Sequence, residues 1–207
     1  MSNDVVSLSI DLLRHGECEG GNIFRGSTDV ALSQRGFQQM ESALNNAKPP
    51  WQLVISSPLK RCHAFAAQFC AKHQIPLQTE PRLRELHFGD WEGKPIAEIL
   101  QTDAERIQAW SQDPSSIDVP NGEKLSEALA RAEDLLEELK NRPDNHNILL
   151  ISHGGLIRLI LSTVLHIPLS KCQQIDVPYA ALSRFAYYRS AFGTQQKLLA
   201  HNYRYEP

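Results

Sequence analysis

Along residues 6–12 apolar and polar side chains alternate, with Val6, Leu8, Ile10 and Leu12 on one side and Ser7, Ser9 and Asp11 on the other. A period of two is that of a β-strand with one covered face. This strand runs directly into Arg14-His15-Gly16. Two later apolar runs are shorter and continuous. Leu53-Val54-Ile55-Ser56 leads into Ser57-Pro58, and Ile148-Leu149-Leu150-Ile151 leads into Ser152-His153-Gly154-Gly155. The second of these, without polar alternation, fits a central parallel strand covered on both faces. Residues 182–188 and 197–202 read as two late strands.

Between the strands the period changes to that of a helix. Phe37, Met40, Ala43, Leu44 and Ala47 share one face, starting after Leu32-Ser33 and stopped by Pro49-Pro50. Ser57 and Pro58 read as the N-cap and first-turn proline of a helix over 59–73, with Phe65 and Phe69 on its buried side. Residues 96–110 read as one helix and 113–122 as a loop rich in Pro, Ser and Asp. Residues 123–140 read as an amphipathic helix carrying Leu125, Leu129, Ala132, Leu136 and Leu139 on one face. A further helix follows Gly155 and reaches Leu165. Alternation of strand and helix predicts an α/β fold with a mostly parallel central sheet. The chain, 1–207, reads as one domain in which 86–122 is an insertion lying over the sheet.

Composition narrows the function classes. Hydrophobic residues make up 42% and charged residues 22% of the 207, ordinary values for a globular protein. With a net charge of -3, no bulk electrostatic case exists for nucleic acid or an anionic membrane, so any anion must be bound by local charge. No apolar run reaches membrane-spanning length, and no secretory signal is read at the N-terminus. Cys18, Cys62, Cys70 and Cys172 are scattered without a CxxC pair, as expected of reduced thiols in the cytoplasm.

The chemistry-bearing residues follow the strands. In an open α/β sheet the carboxyl ends of parallel strands share one edge, where ligands bind. Three endings supply Arg14-His15-Gly16, Ser57 to Arg61, and Ser152 to Gly155, with Arg61 in the first turn of its helix. Arginine forks match phosphate oxygens and keep their charge. An unprotonated histidine is a nucleophile for phosphorus, and a backbone carbonyl can fix its ring through the other nitrogen. Gly16 and Gly154 let the backbone approach a ligand closely. A leaving alkoxide needs a proton, and PRLRELHFGDWEG offers Glu85, Asp90 and Glu92. Glu85, between Leu83 and Leu86, is expected to be partly desolvated and so held protonated. Chemistry alone leaves the choice among the three open. A cysteine phosphatase loop, C-x5-R, would need arginine at position 24, which is Phe24. No clustered metal-ligand spacing is found, and neither metal nor cofactor is expected.

In this order, LLRHGE, SSPLKR, LRELHFGDWEG and LLISHGG resemble the histidine phosphatase superfamily, whose fold is that of the phosphoglycerate mutases. The resemblance covers nearly the whole chain. It implies a three-layer α/β/α sandwich, and it implies His15 as the residue that becomes phosphorylated, Arg14, Arg61 and His153 as phosphate ligands, and Glu85 as proton donor. Within the family, FGDWEG and PNGE are most similar to the alpha-ribazole phosphatase branch. That implies hydrolysis of alpha-ribazole 5′-phosphate in assembly of the cobalamin nucleotide loop. The alternatives are a broad-specificity phosphatase, a mutase-like phosphotransferase, or a non-catalytic scaffold. One departure stands out: the family usually has Thr or Ser after the glutamate and Asn three positions further on, whereas this chain has Cys18 and Gly21, with Asn22 one later. Asn22 and Arg25 are carried over as substrate ligands on that basis, along with Gly154. The expected partner is a small phosphorylated substrate, and a homodimer is left open.

Overall fold

The computed structural model describes residues 5–44, 49–142, 147–191 and 193–204. Ala47, placed above on the first helix, lies outside them. Six strands form one sheet in the order β3-β2-β4-β1-β5-β6. β1 (Val5–Arg14), β2 (Leu53–Ser56), β3 (Leu77–Thr79) and β4 (Asn147–Ser152) are mutually parallel; β5 (Leu182–Ser190) runs antiparallel to β1, and β6 (Gly193–Tyr203) runs antiparallel to β5. β3 escapes the periodicity because it is only three residues long.

Two apolar layers sandwich the sheet. Leu12, Ile55 and Leu150 face α5 (Leu125–Lys140) and α6 (Gly154–Leu165), meeting Leu135 and Ile160. Leu13, Val54 and Ile151 face α1 (Gln34–Leu44) and α2 (Lys60–His73), meeting Met40 and Phe65. This is the three-layer arrangement the resemblance implied.

The strand reading of β1 needs one correction. Its polar face is not wet: Asp11 is buried, because β1 is an interior strand with both faces covered. The Asp11 carboxylate is satisfied there by Trp51 Nε1 at 2.6 Å, Tyr203 Oη at 2.7 Å and two Arg184 nitrogens at 2.9 Å. Such pairing is what a buried charge requires.

Two helix readings also change. The N-cap of α2 is Leu59, with no side-chain cap, and Ser57 is turned inward. The helix over 96–110 is two, α3 (Ile96–Thr102) and α4 (Ala104–Gln112). The break falls at Asp103, whose backbone leaves the helical region (φ -145°, ψ 43°) and whose carboxylate accepts from Trp91 Nε1 and Arg106 Nη1.

For the site, register is what matters. Arg14 pairs with Ser152 across β1 and β4, and Ser56 pairs with Ile151 across β2 and β4. The carboxyl ends of three adjacent strands therefore finish side by side. The ladder continues one step past each end, through His15 N–H to the Ser152 carbonyl (3.0 Å) and Ser57 N–H to the Ile151 carbonyl (2.9 Å).

Candidate active site

That edge brings the two histidines together, with ring centroids 5.2 Å apart. Both are buried. His15 Nδ1 lies 2.7 Å from the Gly16 carbonyl, which fixes the proton on Nδ1 and leaves the Nε2 lone pair free. Burial, then the charges of Arg61 and Arg14, hold His15 well below the ordinary imidazole range, although its bond to Gly16 pulls the other way. His153 is lowered in the same sense by burial, Arg61 and His15. Its tautomer is the opposite one. Nδ1 accepts from Arg61 Nε at 3.1 Å, so Nε2 carries the hydrogen and donates to Ser57 Oγ at 2.8 Å.

The two arginines are used differently. Arg61 is fully buried, and its Nη atoms donate to the carbonyls of Thr28 (2.8 Å), Arg25 (2.9 Å) and Gly26 (2.7 Å). With Nε on His153, four of the guanidinium's N–H groups are engaged and one on Nη1 is left for a ligand. Arg14 donates Nη1 to the Val177 carbonyl at 2.6 Å and stacks 4.4 Å from the Tyr179 ring centroid. Its Nε is buried with no protein acceptor among the described residues. A buried donor without a partner is costly unless something binds it, and an oxyanion answers that need.

Glu85, in the loop after residues 81–83, sets its carboxylate at the first turn of α6. Its Oε2 accepts the Gly155 N–H (3.0 Å), and Oε1 accepts Leu156 N–H (3.0 Å) and Leu86 N–H (3.1 Å). The apolar enclosure expected between Leu83 and Leu86 is thus replaced by backbone donors. The glycine pair makes room for this. A Cβ on Gly154 would stand 3.1 Å from the Arg14 guanidinium carbon, and one on Gly155 would stand 2.6 Å from Glu85 Oε1.

The other two carboxylates are accounted for elsewhere. Asp90 is exposed and accepts from Asn121 Nδ2. Burial pushes Glu92 up, but bonds from Thr28, Phe88 and Ser27 outweigh it and hold Glu92 below the usual carboxylate range. Glu92 thereby anchors residues 27–28, next to the carbonyls that hold Arg61. Among the described residues no cluster of three or more His, Cys, Asp or Glu could hold a metal ion.

Asn22 is exposed, and its backbone carbonyl accepts from Ile96 N–H. The Arg25 guanidinium folds back onto the Glu19 and Gly21 carbonyls, with its Nε buried and unpartnered among the described residues. Cys18, standing where Thr or Ser is usual, puts Sγ 3.4 Å from His15 Nδ1. Burial pushes its thiol up, so it stays protonated.

Two groups escape a sequence reading. Tyr179 closes over His15 and Arg14 from a loop before β5. Arg131 on α5 forms a bidentate pair with Glu123 (2.7 and 3.0 Å) and donates to the carbonyls of Arg82 (2.5 Å), Arg84 (2.8 Å) and Glu85 (3.4 Å). Glu123 also accepts from His87 N–H. This pair clamps the backbone on either side of Glu85, and GE in PNGE was its one trace in the sequence.

A mixed sheet that joins two neutral histidines to two arginines at neighbouring strand ends defines a class, the α/β phosphatases built around histidine. The model of the histidine phosphatase superfamily (branch 1) matches residues 10–198, and the chain belongs to that family. It is 30% identical over 162 residues to an adenosylcobalamin/alpha-ribazole phosphatase of Escherichia coli, covering 76% of this chain and 79% of that one. It is 28% identical over 163 residues to phosphoserine phosphatase 1 of Hydrogenobacter thermophilus, covering 77% of each. In structure it matches a mycobacterial glucosyl-3-phosphoglycerate phosphatase with a TM-score of 0.82 and 25% identity, over 95% of this chain and 99% of the other.

Proposed function

We propose that the protein is a phosphomonoesterase working through a phosphohistidine on His15. The observation that carries this reading is the His15 ring itself: neutral, tethered through Nδ1 to Gly16, and set beside Arg14 and Arg61. Nε2 attacks phosphorus, and the phosphorus–oxygen bond to the leaving group breaks as Glu85 gives that oxygen a proton. Water then attacks the phosphohistidine, Glu85 takes a proton from it, and phosphate leaves with His15 restored. Arg14 and the remaining Arg61 N–H carry the charge of the equatorial oxygens. His153 adds its Nε2 hydrogen when the ring turns from Ser57 to the phosphoryl group. Stabilisation by groups fixed in advance is the dominant source of rate in such sites.

The segment 86–122 is proposed to cover the site, supported by Phe88 and Trp110, which border the space next to Arg14 and Glu85. Alpha-ribazole 5′-phosphate is one candidate substrate, supported by 30% identity to the Escherichia coli enzyme. Phosphoserine and glucosyl-3-phosphoglycerate are supported by relatives of similar identity. Steady-state hydrolysis of all three beside p-nitrophenyl phosphate, in EDTA, tests both levels. Turnover that is lost in His15→Ala, with a 32P-labelled enzyme trapped by acid quench in the wild type only, is the expected result. Turnover surviving in His15→Ala would end the phosphohistidine reading.

A further inference from the structure

Next to the phosphoryl-binding groups lies a cavity of about 110 Å³, bordered by Arg14, Glu85, Phe88, Trp110, Arg158 and Gln173. Sites that enclose a whole small molecule run from roughly 300 Å³. This one has room for part of a substrate only, and it begins at the proton donor, where the leaving group must lie.

Beyond Arg14 and Glu85, its walls are aromatic and apolar apart from Arg158 and Gln173. Arg158 sits four residues after Gly154 on α6, hence on the same helix face, beside the position that Arg14 occupies. Its Nε donates to the Ile175 carbonyl at 2.9 Å, which fixes the stem and aims the fork. Among the described residues no carboxylate pairs with it. Burial lowers the neighbouring Arg14; Glu85 and Tyr179 pull the other way, and Arg158 adds to the lowering by repulsion. With Glu85 protonated, as the proposed proton donor, two cations border this cavity; the phosphoryl group occupies Arg14, and Arg158 is left for a second anion.

We propose that Arg158 is a specificity-determining residue that binds a second oxyanion, carboxylate or phosphate, on the substrate's leaving group within this cavity. The inference rests on the phosphomonoesterase reading and narrows its substrate class to small, doubly anionic phosphomonoesters.

The test compares matched substrates: 3-phosphoglycerate, 1,3-propanediol bisphosphate, and glycerol 3-phosphate, which lacks the second anion, with p-nitrophenyl phosphate as reference. The wild type should favour one or both anionic substrates over glycerol 3-phosphate, and which one identifies the group bound. Arg158→Gln should lower kcat/KM for the favoured substrate about ten- to a hundredfold more than for glycerol 3-phosphate, mostly through KM. Arg158→Lys, which keeps the charge, should restore part of that preference, as a merely structural role would not. Equal losses across the four substrates, or a wild type that prefers neutral leaving groups such as alpha-ribazole, would overturn the subsite and leave the phosphatase reading standing. A wild type inert even toward p-nitrophenyl phosphate would overturn both.

Discussion

The floor of the site grows from the ends of β1, β2 and β4, and the rim that carries Glu85 hangs on residues 80–92 and 123–131, outside any strand. Behind the floor stand Ile10, Leu12, Leu150 and Ile151, all at 0% exposure, so His15 and His153 inherit their positions from packed apolar layers. The rim is positioned by charged hydrogen bonds instead: Glu123 with Arg131, Glu92 with residues 27–28, and Glu85 with the first turn of α6. Damage to the floor should therefore cost stability and rate together. Damage to the rim should cost rate in a way that depends on the leaving group.

The largest effect belongs to Arg61. Arg61→Ala leaves three loop carbonyls and His153 without their donor in a fully buried place. Turnover should fall about a hundredfold or more, comparable to loss of an oxyanion-hole donor. Unfolding free energy in urea should fall by about 3 kcal/mol or more, since each orphaned buried acceptor carries its own penalty. A variant that lost rate with no loss of stability would erase the distinction between floor and rim.

Arg131→Ala sharpens the same contrast from the other side. With the clamp gone, Glu85 should drift from the leaving oxygen. Hydrolysis of glycerol 3-phosphate, a poor leaving group, should drop about tenfold, within the range that general acid catalysis supplies. The drop for p-nitrophenyl phosphate should be about twofold, because nitrophenolate needs little protonation. Parallel losses on the two substrates would assign Arg131 to folding alone.

A third effect is read in pH. His15 and His153 are both lowered in the folded state, so unfolding below the ordinary imidazole value takes up protons. Their contribution is complete above the unfolded value of about 6.5 and is lost as pH falls toward the folded values. Each histidine should then cost about 1.4 kcal/mol of stability per pH unit within that window. Urea midpoints between pH 7 and pH 5 give the slope, and His15→Asn should reduce it by about half. An unchanged slope would mean that His15 is charged in the folded protein.

Three strand endings were legible in the sequence because parallel strands put their carboxyl ends on one edge, whatever the details of packing. The floor of the site follows from that rule and from Arg14, His15, Arg61 and His153. The rim does not, because its contacts join residues 82–87 to 123 and 131, and no local pattern encodes such a pairing. The placement of Glu85, Asp90 and Glu92 is of this kind: of the three, Glu85 is the one that accepts the Gly155 N–H, which supports the proposed choice of Glu85. Asp11 was misread for a related reason. Alternation reports a covered face, and it is silent on whether a polar face is covered too, as beside Trp51 and Arg184. The break at Asp103 is the same lesson at the level of a helix, since a favourable run is interrupted where the Asp103 carboxylate accepts from Trp91.

Gly154 and Gly155 are neighbours on one helix, yet the first faces a guanidinium and the second a carboxylate. A methyl group added at Gly154 would press on the Arg14 guanidinium, the proposed grip on phosphate, and one at Gly155 on the Glu85 carboxyl, the proposed proton donor. One backbone step thus separates two dials. On the proposed mechanism, affinity for phosphate and tolerance of poor leaving groups would be adjustable by separate single changes, without moving the strands that hold His15.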